Sequence, residues 1–270
     1  MPVLVTKDFL IETYVKQGLS TWAIERKFGI SRSTVYSQFK KHGISARNIA
    51  QSHILYARSD FSGDLKEKAY LLGFAIGDLR VRLHNGSASE TISIACGSTK
   101  AAQIKLVQEL FSKYGRVWEG KPDRRGATNV EAFVNRSFSF LLPTERDYSW
   151  CAENRNEFFA FLAGFTDAEG SFYISNGKAF ISWGNYDLEI LQFIHINLKR
   201  FGIETPKICT DSLKGYVGSH GYARNKNYSH ISCCKKETLR ALISELGPFL
   251  RHADKKQRLA TIVTNLKMRG

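Results

Sequence analysis

Two acidic residues, Asp78 and Glu169, each close an apolar helical run, and each directly follows the second of two small residues four apart: Gly73 with Gly77, and Gly164 with Ala168. Small residues one turn apart let two helix backbones approach closely. Helices packed through such faces bring their C-terminal ends together, and with them the two carboxylates. Adjacent anions at the negative ends of two helix dipoles are costly unless a bound cation or a raised pKa relieves them. Ligands that are oxygen only point to a hard divalent ion such as Mg2+. One such acid alone would read as a solvated helix end; the same acid in two copies in identical register reads as a metal site.

The copies belong to an internal repeat. AYLLGFAIGDLRVRLHNG (69–86) aligns without a gap to AFLAGFTDAEGSFYISNG (160–177), and 169 from 78, 164 from 73 and 176 from 85 all differ by 91. After each acid, alternation suited to strands flanks an Asn-Gly turn, at Asn85-Gly86 and at Asn176-Gly177, so each half opens with a hairpin. Helices follow, KAAQIKLVQELFSKYG and DLEILQFIHINLKRFG, ending at Gly115 and Gly202, where the offset has become 87. Each half therefore reads helix, hairpin, helix, further strands, an α+β class, with the halves at 65–150 and 151–270. KKETLRALISELGPFLRH and the basic stretch ADKKQRLATIVTNLKMR close the second.

Ahead of them, residues 1–45 read as three short helices. Thr6–Gln17 carries Phe9, Leu10, Tyr14 and Val15 at helical spacing, Ser20 or Thr21 caps a second helix through Phe28, and Ser31 opens a third that ends at Gly43. TWAIERKFGISRSTVYSQFK resembles a helix-turn-helix with Ile24, Phe28, Ile30, Val35 and Phe39 as its core. Arg32, Ser33, Thr34, Tyr36, Ser37 and Lys40 then lie on the outward face of the last helix, as hydroxyls and cations suited to DNA. Glu25 departs from the pattern, standing where a small residue is usual. Residues 46–64 read as a connector.

The chain of 270 residues is 43% hydrophobic and 24% charged, a folded composition, and its 39 Lys plus Arg against 25 Asp plus Glu give +14. A polyanion is the expected partner. Apolar runs such as 70–77 and 158–165 fall far short of the ~20 residues of a membrane span, which puts nucleic acid well ahead of an anionic membrane as the expected partner. Five cysteines show neither a disulfide framework nor a zinc spacing. The N-terminal stretch lacks a signal-like region, so the cytoplasm, or an organelle that encodes the protein, is the expected location.

LLGFAIGDL (71–79) and LAGFTDAEG (162–170) resemble the two LAGLIDADG motifs of single-chain homing endonucleases, and PFLRHADKKQRL resembles the stretch after the last strand in that family. In the first motif Leu79 replaces the closing glycine and Ile76 the inner acid. The resemblance covers roughly residues 65–265. It implies two pseudo-symmetric αββαββα-type halves whose sheets form a saddle on double-stranded DNA, preceded here by the all-α module. It further implies that Asp78 and Glu169, with the adjacent Gly77 and Ala168, hold two or more Mg2+ beside the scissile phosphates, and that both strands are cut to leave 3′ overhangs. A basic residue from each half is implied near the metals, by position Arg136 and Lys236, or its neighbour Lys235.

Hairpin side chains should contact DNA: Arg80 and Arg82 share one strand face, Phe172 and Ile174 share one on the other hairpin, and Lys178 stands near the turn. Trp183, Phe180 and Phe172 are expected in the core, and Asp167 as a helix-end hydrogen-bonding residue. His195 and His220 have no metal spacing and no expected role. Two repeats in one chain remove the need for a dimer, so a monomer is expected. The alternatives on the same scaffold are a maturase acting on intron RNA and a catalytically inactive DNA-binding regulator.

Overall fold

The computed structural model describes residues 4–47, 56–86, 89–217, 223 and 225–269. The chain separates into two compact units, Met1–Ala57 and Arg58–Gly270. His220 and residues 48–55 of the expected connector lie outside the described residues.

In the first unit, α1 (Lys7–Leu10) runs on as a π-helical stretch, Ile11–Lys16, where the sequence pattern predicts one regular helix. The Thr13 hydroxyl donates to Phe9 O (2.6 Å) and the Gln17 amide reaches back to Glu12 O (2.9 Å), so the turn widens where a side chain takes up a helical carbonyl. Ser20 and Ser31 cap α2 (Thr21–Phe28) and α3 (Arg32–His42), accepting from the amides of Ala23 and Thr34. Gly29 (φ 68°) turns the chain between them in the left-handed conformation that glycine adopts without strain. Leu10, Tyr14, Ile24, Ile30, Val35 and Phe39 form a separate small core, with Phe28 packed at its edge.

The second unit is a duplication. Its first half runs α4 (Leu65–Gly77), β1 (Arg80–Leu83), β2 (Ile92–Ser98), α5 (Ala101–Phe111), β3 (Arg116–Glu119) and β4 (Thr128–Val134). The second runs α6 (Arg155–Glu169), β5 (Gly170–Ser175), β6 (Lys178–Asn185), α7 (Leu188–Arg200), β7 (Cys209–Asp211) and β8 (Tyr228–Cys233). Each half builds a four-stranded antiparallel sheet, ordered β1-β2-β4-β3 and β5-β6-β8-β7. Ser175 pairs with Lys178 across the two-residue turn of Asn176 (φ 50°) and Gly177 (φ 72°), the doubly positive φ of a tight hairpin. In the first half pairing stops at Leu83 and Ile92, so that loop is longer.

The halves differ after their last strands. The second adds α8 (Lys236–Leu246) and α9 (Ala253–Met268), whereas the first has only the 3-10 segments Arg136–Leu141 and Ser149–Glu153. Leu142 is extended (φ −63°, ψ 137°) because it precedes Pro143, which disfavours a helical residue before it and supplies no amide of its own. The closing helix of the expected αββαββα pattern thus exists in the second half alone.

Alternation turns one face of each sheet inward. Val81, Ile92, Ile94, Cys96, Val130 and Ala132 are buried in the first sheet, and Phe172, Ala179, Ile181, Trp183, Ile231 and Cys233 in the second. Phe172 and Ile174 therefore belong to the inward face, with Ile174 lining a small cavity beside Arg258 and Ile262 of α9. The outward side chains of β5 are Ser171, Tyr173 and Ser175. Trp183 is buried as expected and donates to Thr166 Oγ1 (2.7 Å). Among the described residues no helix is long and apolar enough to cross a membrane.

Candidate active site

The two motif helices, α4 and α6, cross backbone to backbone. A Cβ added to Gly73 would lie 2.0 Å from Phe161 O and 2.8 Å from Phe165 N; one added to Gly164 would lie 2.0 Å from Tyr70 O and 2.9 Å from Phe74 N. The pairs exchange under the offset of 91, since 161 follows 70, 165 follows 74 and 164 follows 73 by that number. The crossing is therefore a pseudo-twofold contact, and no side chain larger than hydrogen fits at its two centres.

One turn further on, a Cβ on Gly77 would meet Ala168 Cβ at 2.5 Å, Glu169 Cγ at 2.7 Å and Glu169 Oε1 at 3.3 Å. Gly77 and Ala168 thus face each other, and the Glu169 carboxylate lies over the residue that precedes Asp78. Asp78 and Glu169 are half-buried. Burial raises the pKa of both above the ordinary carboxylate range, and the charge of Asp78 raises Glu169 further. Opposing this, Gln103 Nε2 on α5 donates to Asp78 Oδ2 (2.8 Å), and the cations acting on Asp78 are Lys255 and Lys100, with Lys255 acting on Glu169 as well.

Lys255 lies in the first turn of α9 and donates from Nζ to the carbonyl of Gly170, the residue after Glu169. Burial lowers the pKa of its ammonium, against the nearby charges of Asp167 and Asp78. Asp167 is buried, accepting from the Tyr70 hydroxyl (2.6 Å) and from the amides of Arg251 (2.7 Å) and His252 (3.0 Å). On the second-half side, the Tyr228 hydroxyl packs over Gly184, 2.0 Å from where a Cβ would stand. Its pKa is raised by burial and then by the charge of Glu169.

Among the described residues no cluster of three His, Cys, Asp or Glu side chains is assembled for a metal. The two acids nevertheless fit a hard divalent ion, because Mg2+ is commonly held by one or two carboxylates and completed by water and substrate phosphate. Each oxygen set is partly exposed and raised in pKa by a like charge or by burial, which a cation relieves.

The structure does not bring Arg136 or Lys236 to these carboxylates. Arg136 lies two residues past the end of β4 that pairs with Ile92, whereas Cys96 beside Asp78 pairs with Val130, four residues and about 13 Å back along the strand. Its Nε donates to Ser89 O (2.8 Å). Lys236 Nζ donates to Arg269 O (2.5 Å), fourteen residues along the last helix from Lys255, or about 21 Å. Lys255, Lys100 and Gln103 hold the places near the acids instead. ADKKQRL was visible as a basic stretch, but only the packing of α9 singles out Lys255 from Lys256 and Arg258.

Of the expected DNA-contact residues, Arg80 and Arg82 are exposed on the outward face of the first sheet, where Arg82 pairs with Glu131 (3.5 Å), and Lys178 is exposed at the second hairpin turn. On α3, Ser33, Thr34, Tyr36 and Lys40 are exposed. The hydroxyls of Ser33 and Thr34 lie 2.9 Å and 2.8 Å from Ser31 Oγ. Arg32 is held 3.7 Å over the ring of Trp22 and 3.5 Å from Glu25, so the unexpected acid before the turn has an identified partner.

Residues 156–247 match the model of a family described as a LAGLIDADG-like domain. That segment runs from the second motif helix to the end of α8. Among solved structures, the homing endonuclease I-DmoI in complex with DNA and Mn is similar at 20% identity, over 69% of this chain and 97% of that one, with a TM-score of 0.46. The homing endonuclease I-WcaI bound to its DNA recognition sequence is similar at 13% identity over 73% and 86%, with a TM-score of 0.49. The N-terminal LAGLIDADG domain of DUF199/WhiA is similar at 15% identity over 68% and 84%, with a TM-score of 0.43. No curated protein matches the chain.

Proposed function

We propose that the chain is a divalent-metal-dependent endonuclease that binds double-stranded DNA across the outward faces of its two sheets and cuts both strands as a monomer, leaving 3′ overhangs. The observation that carries this reading is the meeting of Asp78 and Glu169 at the ends of two glycine-apposed helices with Lys255 beside them. A fold that needed only stability would not place two half-buried acids together there. The LAGLIDADG-like match over 156–247 supports the same reading.

Asp78 and Glu169 are the residues to hold Mg2+, next to Gly77 and Ala168. The chemistry such an ion supplies is Lewis acidity toward a phosphodiester oxygen and toward the attacking water. Lys255 offers a fixed ammonium to the charge that builds on phosphate. Gln103 orients the Asp78 carboxylate through its amide, and Lys100 adds a cation on that side. Arg80, Arg82 and Lys178 contact the duplex, Arg82 after exchanging Glu131 for phosphate or base. In the N-terminal unit, Arg32, Ser33, Thr34, Tyr36 and Lys40 form a second DNA-reading face.

The test is cleavage of a randomised duplex library with Mg2+, beside Ca2+ or EDTA, by the wild type and by Asp78→Asn/Glu169→Gln. Discrete double-strand cuts with 3′ overhangs, dependent on Mg2+ and absent in the double variant, are expected. Sequence-selective DNA binding with no cut, unchanged in the variant, would move the protein to a regulatory role; support of intron splicing that survives the double variant would make it a maturase.

A further inference from the structure

Asp167 stands two residues before Glu169 on α6 and is 1% exposed. A carboxylate taken so far out of water is expensive unless its partners justify it. All three hydrogen bonds it accepts fall on Oδ2: one from Tyr70 on the other motif helix, and two from the amides of Arg251 and His252. Those last two residues lead directly into α9, where His252 is the N-cap. Lys255 follows three residues later, within the same turn, and reaches Gly170 O beside Glu169.

The first repeat provides an internal control. Subtracting 91 from 167 and adding 91 to 70 leads to Ile76 and Phe161, so at the pseudo-symmetric end of the crossing an apolar pair stands where Asp167 and Tyr70 do. The crossing packs with either pair. What the first repeat lacks is a closing α-helix to be held, since 3-10 segments occupy that part of its chain. The polar pair therefore accompanies α9 and the lysine it carries.

Resting on the endonuclease reading for its catalytic consequence, we propose that Asp167 is a positioning residue: by accepting the amides of Arg251 and His252 it fixes the start of α9 on the second motif helix and thereby sets Lys255 beside Asp78 and Glu169. The Tyr70 hydroxyl steadies the Asp167 carboxylate, and its ring lies under the Arg251 guanidinium at 4.6 Å, a contact that phenylalanine at this position keeps.

The experiment uses the full chain in five forms: wild type, Tyr70→Phe, Tyr70→Phe/Asp167→Ile, Lys255→Gln, and Tyr70→Phe/Asp167→Ile with Lys255→Gln. The double variant installs the pair that the first repeat already packs. Two readouts are taken, acylation of individual lysines followed by mass spectrometry, and the single-turnover cleavage rate at saturating protein beside DNA affinity in Ca2+. Tyr70→Phe is expected to leave Lys255 acylation and cleavage within about twofold of wild type. Tyr70→Phe/Asp167→Ile should acylate Lys255 at least threefold faster, with Lys105 and Lys178 unchanged, and should cut at least tenfold more slowly at unaltered affinity. Adding Lys255→Gln should slow cleavage no further than Lys255→Gln alone, because both changes remove the same ammonium from the site.

Unchanged Lys255 acylation in the double variant, or losses that multiply when Lys255→Gln is added, would overturn the assignment. So would failure of the double variant to melt cooperatively, since Asp167 would then be needed by the crossing itself. If the wild type cuts no duplex, the endonuclease reading fails, while the acylation pattern still decides whether Asp167 places Lys255.

Discussion

Gln103 and Lys100 flank Asp78 in the first repeat; at the matching positions of the second, 87 residues on, stand Ile190 and Asp187. The strand register gives the same correspondence, for Arg80 pairs with Ala95 and its counterpart Ser171 with Ser182. Asp187 caps α7 in the ordinary way, accepting from the Glu189 amide (3.0 Å), whereas Lys100 occupies the N-cap of α5 without any side-chain capping bond. A cation there also opposes the helix dipole. The first repeat thus forgoes a contribution of about 1 kcal/mol and gains a positive charge acting on its acid, while the second keeps the cap and has Tyr228 over Gly184. Duplication fixes where the carboxylates stand and leaves their surroundings free to diverge.

The shared part of the comparison gives the largest effect. Gly73→Val and Gly164→Val drive a side chain into facing backbone, so each should destabilise by about 3 kcal/mol or more, and by similar amounts, in chemical denaturation. A tolerated valine at one position alone would show that the crossing is not pseudo-symmetric. Gln103→Leu, which gives the first repeat the apolar character of Ile190, removes a hydrogen bond to a charged group worth about 1.5–3 kcal/mol. With the two DNA strands labelled differently, one strand should be cut about tenfold to a hundredfold more slowly and the other at its former rate; equal slowing would mean that the two acids act as one unit.

The pH dependence sharpens what the acids share. Burial lifts both pKa values above the ordinary carboxylate range, and Asp78 lifts Glu169 further. The folded metal-free protein therefore favours their protonated forms. The stability this contributes is complete below the ordinary carboxylate pKa of about 4 and is lost as pH rises through the raised values. Asp78→Asn/Glu169→Gln, permanently neutral, should melt above the wild type at neutral pH without metal, with the gap closing as pH falls below about 4 and shrinking also when Mg2+ is added. Equal melting at neutral pH would remove the electrostatic case for a metal. The smallest effect is that of Lys100→Asp, which gives α5 the cap of α7: a gain in stability of about 1 kcal/mol, with slower cleavage on the Asp78 side.

Much of this frame was legible in the sequence because it rests on local spacing. Gly73, Gly164 and the acids after the motif helices follow from a helical period, and Asn176-Gly177 from turn chemistry. The inward position of Phe172 was also legible: the offset of 91 aligns it with Val81, so the outward face of β5 belongs to Ser171 and Tyr173. The surroundings of the acids were not legible. Gln103 reaches Asp78 from a helix 25 residues away, and Lys255 reaches Gly170 from one 85 residues away, and no period in the chain encodes such contacts. The family resemblance implies Arg136 near the metals, but β4 has two ends and only its register shows that the end before Arg136 pairs with Ile92, away from Asp78. The closing helix of the first half failed for a nearer reason, Pro143 after Leu142.

The glycine crossing also sets an order of events during synthesis. α4 is buried without a break from Ala69 to Ala75, and the backbone it must touch at Phe161 and Phe165 is made about 90 residues later, some 5–20 s at ordinary rates of translation. For that interval the glycine face of an apolar helix lacks the backbone it will pack against. A ribosome-bound first repeat is thus the stage at which the nascent protein most needs a chaperone, and at which aggregation competes most strongly with folding.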